Sequence, residues 1–183
     1  YGGSCFPKDV SAILDFSKKT GYKPRILEAV KNVNDYQKKY FFKKILKKFG
    51  ESLKGKTIAI WGLSFKPGTD DMRESVSIYI VKSICDLGGF VNVYDPKAMD
   101  NAKQNYFSKI KDIKYCEEKY DALKGADALL LLTEWPEFRS PDFNLVKKNL
   151  KKPLIFDAKN QYSKRNMIKH EFAYHQIGVK PLK

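Results

Sequence analysis

From Thr57 onward the sequence predicts an α/β fold built on a doubly wound, mostly parallel sheet, preceded by a long helical segment over 26–49. Three observations predict it. Short apolar runs recur at Thr57–Trp61, Phe90–Tyr94, Ala128–Thr133 and Leu154–Phe156. Stretches of helical periodicity separate them, and Gly or Pro punctuation such as Gly88-Gly89 and Asp95-Pro96 closes the units. Strands that alternate with helices at this spacing favour parallel pairing through crossover connections.

The elements follow in order. Between Pro7 and Lys19 the positions Val10, Ile13, Leu14 and Phe16 repeat at helical spacing, with Pro7 near the first turn and Gly21 as a stop. A second pattern runs from Ile26 through Leu27, Val30, Val33, Tyr36, Tyr40, Phe41 and Ile45 to Phe49, ending at Gly50. A helix of that length reaches about 36 Å. Its aromatic stripe of Tyr36, Tyr40, Phe41 and Phe42 needs a cover, either its own domain or a subunit interface, and helix 26–49 is the expected homodimer element. After the polar linker Glu51–Lys56 come strand 57–61, helix 75–87, strand 90–94, a helical stretch near 98–107, a short strand at 113–115 and a helical turn at 119–123. Strand 128–133, helix 143–150, strand 154–156, helix 163–170 and a last strand at 173–176 complete the pattern. Two units result: 1–50, and an α/β domain over 56–183.

Composition bounds what such a chain does. The 183 residues carry 35 Lys+Arg against 21 Asp+Glu, a formal charge of +14, with 43% hydrophobic and 14% aromatic content. That excludes a disordered tail. Only four of the basic residues are Arg and the lysines are scattered, which fits a Lys-rich solvated surface and counts against a nucleic-acid partner. Attraction of an anionic ligand stays open. Cys5, Cys85 and Cys116 are odd in number and lack CxxC spacing, so no metal site or disulfide framework is expected, and a reducing, cytoplasmic setting is. The most apolar stretch, Ala126–Leu132, is too short to span a membrane and contains Asp127. The chain begins with Tyr and enters at once a Gly-Gly-Ser-Cys loop, which reads as a piece of something longer.

The chemistry concentrates at two places. After strand 57–61, where a dinucleotide fold shows G-x-G-x-x-G, the row reads Gly62-Leu-Ser-Phe65-Lys66-Pro-Gly68-Thr-Asp-Asp71. This is either a long βα loop or a nucleotide site in which Lys66 meets phosphate. Asp71 or Ser75 caps the helix that follows, and Arg73 offers a planar donor fork at the crevice beyond the strand ends. The second place is Gly2-Gly3-Ser4-Cys5-Phe6-Pro7-Lys8-Asp9. Cys5 is either a small buried hydrophobe or a nucleophile; the glycines, a helix N-terminus and Lys8 favour the thiolate, and Asp9 lies one turn along to handle a proton or water. Cys85 and Cys116 read as structural, and His170 and His175 have no assigned role.

Tyr1–Asp9, Asn34-Asp-Tyr-Gln37, the run Gly62–Ser75, Tyr94-Asp-Pro96, Thr133-Glu-Trp135 and Phe156-Asp157, in that order, resemble the UDP-glucose 6-dehydrogenases over nearly the whole chain. The resemblance implies a Rossmann-like UDP-binding domain at 56–183, a central dimer-forming helix, and NAD-dependent oxidation of the C6 alcohol of UDP-glucose to a carboxylate. It makes Cys5 the nucleophile that carries a thiohemiacetal and then a thioester, with Asp9 on the proton-handling side. Lys8 and Arg73 resemble cofactor contacts; Tyr1, Gly2, Phe65, Lys66 and Lys159 resemble substrate contacts. NAD is held mainly by a domain upstream of Tyr1, so this chain alone is expected to be inactive. Where the family usually shows Phe-Asp-Gly-Arg, this chain reads Phe156-Asp-Ala-Lys159, which keeps a charge but loses the bidentate fork. Alternatives within the class act on GDP-mannose or UDP-N-acetylhexosamines; Ser4, Phe6 and the Lys66–Asp71 run look most like the UDP-glucose branch. Outside it stand a non-catalytic basic nucleotide- or nucleic-acid-binding α/β module and a purely structural dimer.

Overall fold

A computed structural model of the chain describes residues 1–182. Two helices, α1 (Phe6–Lys19) and α2 (Arg25–Phe49), precede the sheet. Strands β1 (Thr57–Trp61), β2 (Phe90–Tyr94), β3 (Ile113–Tyr115), β4 (Ala128–Leu131), β5 (Leu154–Asp157) and β6 (Ala173–Gln176) form one six-stranded sheet. Every named strand pair is parallel, in the order β3-β2-β1-β4-β5-β6. The order reverses between β1 and β4, so the crevice opens beyond the carboxyl ends of those two strands.

Apolar runs make these strands because both faces of the sheet are covered. Alternate residues serve opposite sides. Ile58 and Ile60 join Leu130 and Phe156 in one core, while Ala59 and Trp61 join Leu129, Leu131 and Ile155 in the other. The first core is covered by α3 (Val76–Asp86) and the last turns of α2, whose Phe41, Phe42 and Ile45 are buried there. The second is covered by α5 (Lys119–Leu123), α6 (Phe143–Asn149) and α7 (Lys164–Lys169). The aromatic stripe of α2 therefore divides. Phe41 and Phe42 pack on the chain's own sheet, whereas Tyr36 stays 52% exposed, with Ile26 and Val33 exposed on the turns before it.

The expected elements stand within a residue or two, with two informative exceptions. The stretch near 98–107 is a single α turn, α4 (Met99–Asn101), that widens into a π-helical turn over Ala102–Tyr106, where the Phe107 N–H donates to the Ala102 carbonyl. Strand β4 stops at Leu131 instead of Thr133 because Thr133 leaves the ladder to donate its hydroxyl to the Ser64 carbonyl at 2.6 Å. That turn presses Thr133 onto Gly62, where a Cβ would meet the Thr133 backbone nitrogen at 2.6 Å; with φ at +96°, the position demands glycine.

One carboxylate ties the crevice together. Asp95, 2% exposed at the end of β2, accepts from the backbone N–H groups of Leu63 and Ser64 at 2.7 and 3.1 Å, the Ser64 hydroxyl, and Trp135 Nε1 at 3.1 Å. Its other oxygen takes the N–H groups of Lys97 and Ala98 at 2.9 and 2.8 Å. Asp157 does the same after β5, accepting from Lys159, Gln161 and Tyr162 N–H and from the Tyr174 hydroxyl at 2.6 Å.

Replacing Asp95 by Ala strands several buried donors at once. Asp95→Ala is expected to cost on the order of 3–5 kcal/mol, read as the loss in unfolding free energy from urea titration.

Candidate functional site

The opening loop is docked, not free. The Gly3 N–H donates to the Arg73 carbonyl at 2.9 Å, and Asn34 Nδ2 on α2 donates to the Tyr1 carbonyl at 3.1 Å. Gly3 has φ of +85°, and a Cβ there would sit 2.6 Å from the Phe65 ring, so the glycine lets the loop close onto the β1–α3 connection. The chain then turns into α1 with Cys5 at the N-cap and Pro7 in the first turn. Cys5 is exposed at the positive end of a 14-residue helix, with the Ser4 hydroxyl 3.6 Å from its sulfur. Asp9 is one turn on, its N–H donating to the Cys5 carbonyl at 2.9 Å. The Lys8 ammonium lies 3.4 Å from the Asp9 carboxylate, so Lys8 pairs with Asp9.

Two clefts meet at this loop. The larger, about 480 Å³, is lined by Ser4 and Lys8 on one side and by Asn34, Arg73 and Tyr106 on the others. The smaller, about 290 Å³, gathers Tyr1, Gly2, Lys38, Phe65, Glu74 and Lys159. Five of the residues singled out from the sequence, Tyr1, Gly2, Phe65, Lys159 and Arg73, thus line one or other cleft, and Lys8 joins Arg73 in the larger. Lys66 lines neither; its ammonium lies over the ring of its own neighbour Phe65, 5.3 Å from the centroid. Lys159 pairs with Glu134 at 2.9 Å.

Electrostatics set the character of the larger cleft. Arg73 folds back on Asp71, with Nε at 2.9 and 3.1 Å from its two oxygens and Nη2 at 2.8 Å. The guanidinium hydrogen bonds hold the Asp71 carboxyl below the usual carboxylate range, and burial opposes them. In return the hydrogen bonds to Asp71 raise the Arg73 pKa. Ser75, not Asp71, caps α3: its hydroxyl oxygen accepts from the Ser77 N–H at 3.2 Å while its own hydrogen goes to the Leu63 carbonyl. The remaining thiols are of another kind. Burial pushes Cys85 up to about 11, helped by Asp112 and Asp86, and burial raises Cys116 as well.

Sequence reasoning passed over four residues that hold this arrangement. Asn34, Glu134, Asp95 and Asp157 each sit inside a short block quoted above, yet the role of each depends on a partner 17 to 40 positions away or on loop N–H groups. An Asp directly after an apolar strand, as in Tyr94-Asp95-Pro96, is the one local signal available.

These features define a class: a doubly wound α/β domain of dinucleotide-fold topology, with an exposed cysteine, itself lining neither cleft, at the N-cap of a separate helix that follows the docked loop. Residues 59–164 match the model of the UDP-glucose/GDP-mannose dehydrogenase family, UDP binding domain, and residues 1–36 match the central domain of the same family. The chain belongs to the UDP-glucose/GDP-mannose dehydrogenase family. It is 40% identical over 178 residues to a UDP-glucose 6-dehydrogenase of Rhizobium meliloti and 39% identical over 180 residues to one of Pseudomonas aeruginosa; each alignment covers 97% of this chain and 40% of the relative. The chain thus spans about two fifths of the length of the curated relatives it matches. Among solved structures, a UDP-glucose dehydrogenase from Pyrobaculum islandicum superposes with a TM-score of 0.78 at 30% identity, covering 96% of this chain and 37% of that one. At 22% identity, an NDP-N-acetyl-D-galactosaminuronic acid dehydrogenase from Methanosarcina mazei has the same TM-score over 98% of this chain and 38% of its own, and shares the fold.

Cys5 is expected to react with iodoacetamide at pH 7.5 about tenfold faster than Cys85 or Cys116, because it is exposed and the other thiols are held protonated by burial. Peptide mass mapping against time reads this out. Arg73→Gln is expected to return the Asp71 carboxyl toward its ordinary value of about 3.9, followed by carboxyl 13C NMR. Because the folded value is the lower one, the Asp71–Arg73 contribution to stability is present above the unfolded value and is lost as pH falls through the folded one.

Proposed function

We propose that this chain is the central-helix and UDP-binding part of a UDP-glucose 6-dehydrogenase, which takes the C6 alcohol of UDP-glucose to the carboxylate of UDP-glucuronate. The observation that carries the reading is the docked Tyr1–Cys5 loop: Tyr1, Gly2, Gly3 and Ser4 line one or both clefts, with Lys8 and Arg73 on the larger and Phe65 and Lys159 on the smaller, and the loop ends on the exposed Cys5 thiol. Domain organisation follows: 1–50 supplies the cysteine loop and a dimer-forming helix, and 56–183 holds the nucleotide.

In this reading the uridine diphosphate lies toward Phe65, Lys66 and Lys159, with Tyr1 and Gly2 closing over the sugar. The lysines supply charge to the two phosphates, and Lys159 does so as a point donor without the geometry of a fork. NAD, held mainly outside this chain, would supply the hydride acceptor, one molecule for each of the two oxidations at C6. The residues here fit one edge of it, since Lys8 and Arg73 place two exposed cations on the cleft beside Cys5. At the aldehyde level Cys5 Sγ bonds to C6, the C=O electron pair moves to oxygen, and that oxygen takes a proton to give a thiohemiacetal. Once C6 is oxidised further the adduct is a thioester. Water adds to its carbonyl carbon, the C–S bond breaks and Cys5 leaves as thiolate; a carboxylate remains and two protons are released, the first from the attacking water as it adds. Asp9, one turn from Cys5, is placed to receive that proton or to orient the water.

Calorimetry tests the nucleotide assignment. UDP and UDP-glucose are expected to bind and GDP not, with the UDP affinity falling as salt rises because Lys-to-phosphate attraction is screened. Lys159→Ala is expected to weaken UDP about tenfold, the scale of one charge-assisted contact. Equal binding of GDP would move the assignment to a GDP-sugar branch, and absence of UDP binding at millimolar concentration would remove it.

A further inference from the structure

Behind the cysteine loop lies an ion pair that the chemistry above does not use. Lys38, on α2, reaches Glu74 at 2.9 Å, and the Lys38 side chain is 19% exposed, low for a lysine. Glu74 is one of three non-glycine residues with positive φ among the described residues, at +53°. In the left-handed region an L residue with a long side chain is strained, so something must hold it there. Its position explains what the strain achieves. Glu74 directly follows Arg73, whose carbonyl accepts the Gly3 N–H at 2.9 Å, and the Glu74 carbonyl stands so close to Gly2 that a Cβ there would lie 2.7 Å from its oxygen. The peptide groups of Arg73 and Glu74 are thus the surface on which Gly2 and Gly3 rest, and Cys5 follows two residues later. One turn before Lys38 on the same helix, Asn34 holds the Tyr1 carbonyl from the other side.

We propose that Lys38 and Glu74 form a positioning pair that fixes the cysteine loop: the ion pair holds Glu74 in its left-handed conformation, which presents the Arg73 and Glu74 carbonyls to the loop and so sets where the Cys5 thiol stands. The ion pair is made by the Lys38 and Glu74 side chains alone, and the Arg73 guanidinium pairs instead with Asp71. The proposal rests on the reading of Cys5 as the reacting group only for its catalytic consequence; the loop geometry is measurable without substrate. Lys38 and Glu74 also line the smaller cleft, and Glu74 lines the larger one as well, so the pair stands where the two clefts share a wall.

The test uses Lys38→Met, Glu74→Ala and Glu74→Gly, with Lys38→Arg as the conservative variant. Hydrogen exchange at the Gly3 amide and the rate of Cys5 alkylation are read alongside exchange at Ile60 and Leu130 in the sheet. Lys38→Met and Glu74→Ala are expected to speed Gly3 exchange at least about tenfold and to change the Cys5 rate at least about threefold, while Ile60 and Leu130 keep their protection. Lys38→Arg is expected to restore both loop readouts. Glu74→Gly, which adopts positive φ freely, is expected to lie between parent and Glu74→Ala. Gly3 exchange and Cys5 reactivity within twofold of the parent in both disrupting variants would overturn the proposal, and so would parallel loss of protection at Ile60 and Leu130, which would mark a general structural role. If the loop readouts move as expected while Cys5→Ala leaves turnover of the longer enzyme intact, the positioning pair stands and the role of Cys5 falls.

Discussion

The crevice exists because one buried carboxylate is surrounded by donors from three separate segments. Asp95 is the meeting point of the β1 exit, the turn after β2 and the segment that follows β4, through Leu63 and Ser64, Lys97 and Ala98, and Trp135. A charge with almost no solvent contact is tolerated only when its lone pairs are filled, and here six donors fill them. The consequence runs outward. With Leu63 and Ser64 fixed, the Leu63 carbonyl is fixed too and takes both the Ser75 and Ser77 hydroxyls, so the start of α3 is set relative to the end of β1. The intervening segment, with Phe65 and Arg73, has both its ends pinned.

Asp157 repeats this arrangement on the far side of the switch point. By gathering the N–H groups of Lys159, Gln161 and Tyr162 it curls the loop after β5, and the Lys159 side chain then reaches Glu134 beyond β4. The Tyr174 hydroxyl donates to the same carboxylate, and burial with that contact raises its pKa far out of the physiological range, so it acts as a permanent donor. Two buried carboxylates thus shape the loops, and the cations at the rim pair with other acids: Arg73 with Asp71 and Lys159 with Glu134.

Much of this was readable in advance, for a physical reason. Strands β1, β4 and β5 are apolar on both faces because each faces a core, and an apolar run between polar loops is a local signal. Helix α2 announced itself by period alone. The division of its aromatics did not: Phe41 and Tyr36 are equivalent in composition, and only the docking of the helix on the sheet decides that one is buried and the other exposed. The π-helical turn at Ala102–Tyr106 was hidden for a related reason, since widening by one residue leaves the hydrophobic pattern nearly unchanged. At the site, Cys5 and Arg73 could be picked out by neighbours in sequence, whereas Asn34, Lys38 and Glu134 act on residues 25 or more positions away.

Helix α2 has a property beyond its length. Its last turns are rooted in the sheet's core through Phe41, Phe42 and Ile45, while Asn34 and Lys38 on earlier turns carry the contacts to Tyr1 and Glu74. Each residue of an α-helix turns the chain by about 100°. The segment between Lys38 and Phe41 therefore behaves as a phase gauge: a single inserted or deleted residue there would swing Asn34 and Lys38 off the loop while leaving every core contact in place. Substitutions along that stretch can be absorbed at the surface, but a change in its length would part Asn34 from Tyr1 and Lys38 from Glu74, leaving the loop held to the α/β domain by the Gly3 to Arg73 hydrogen bond.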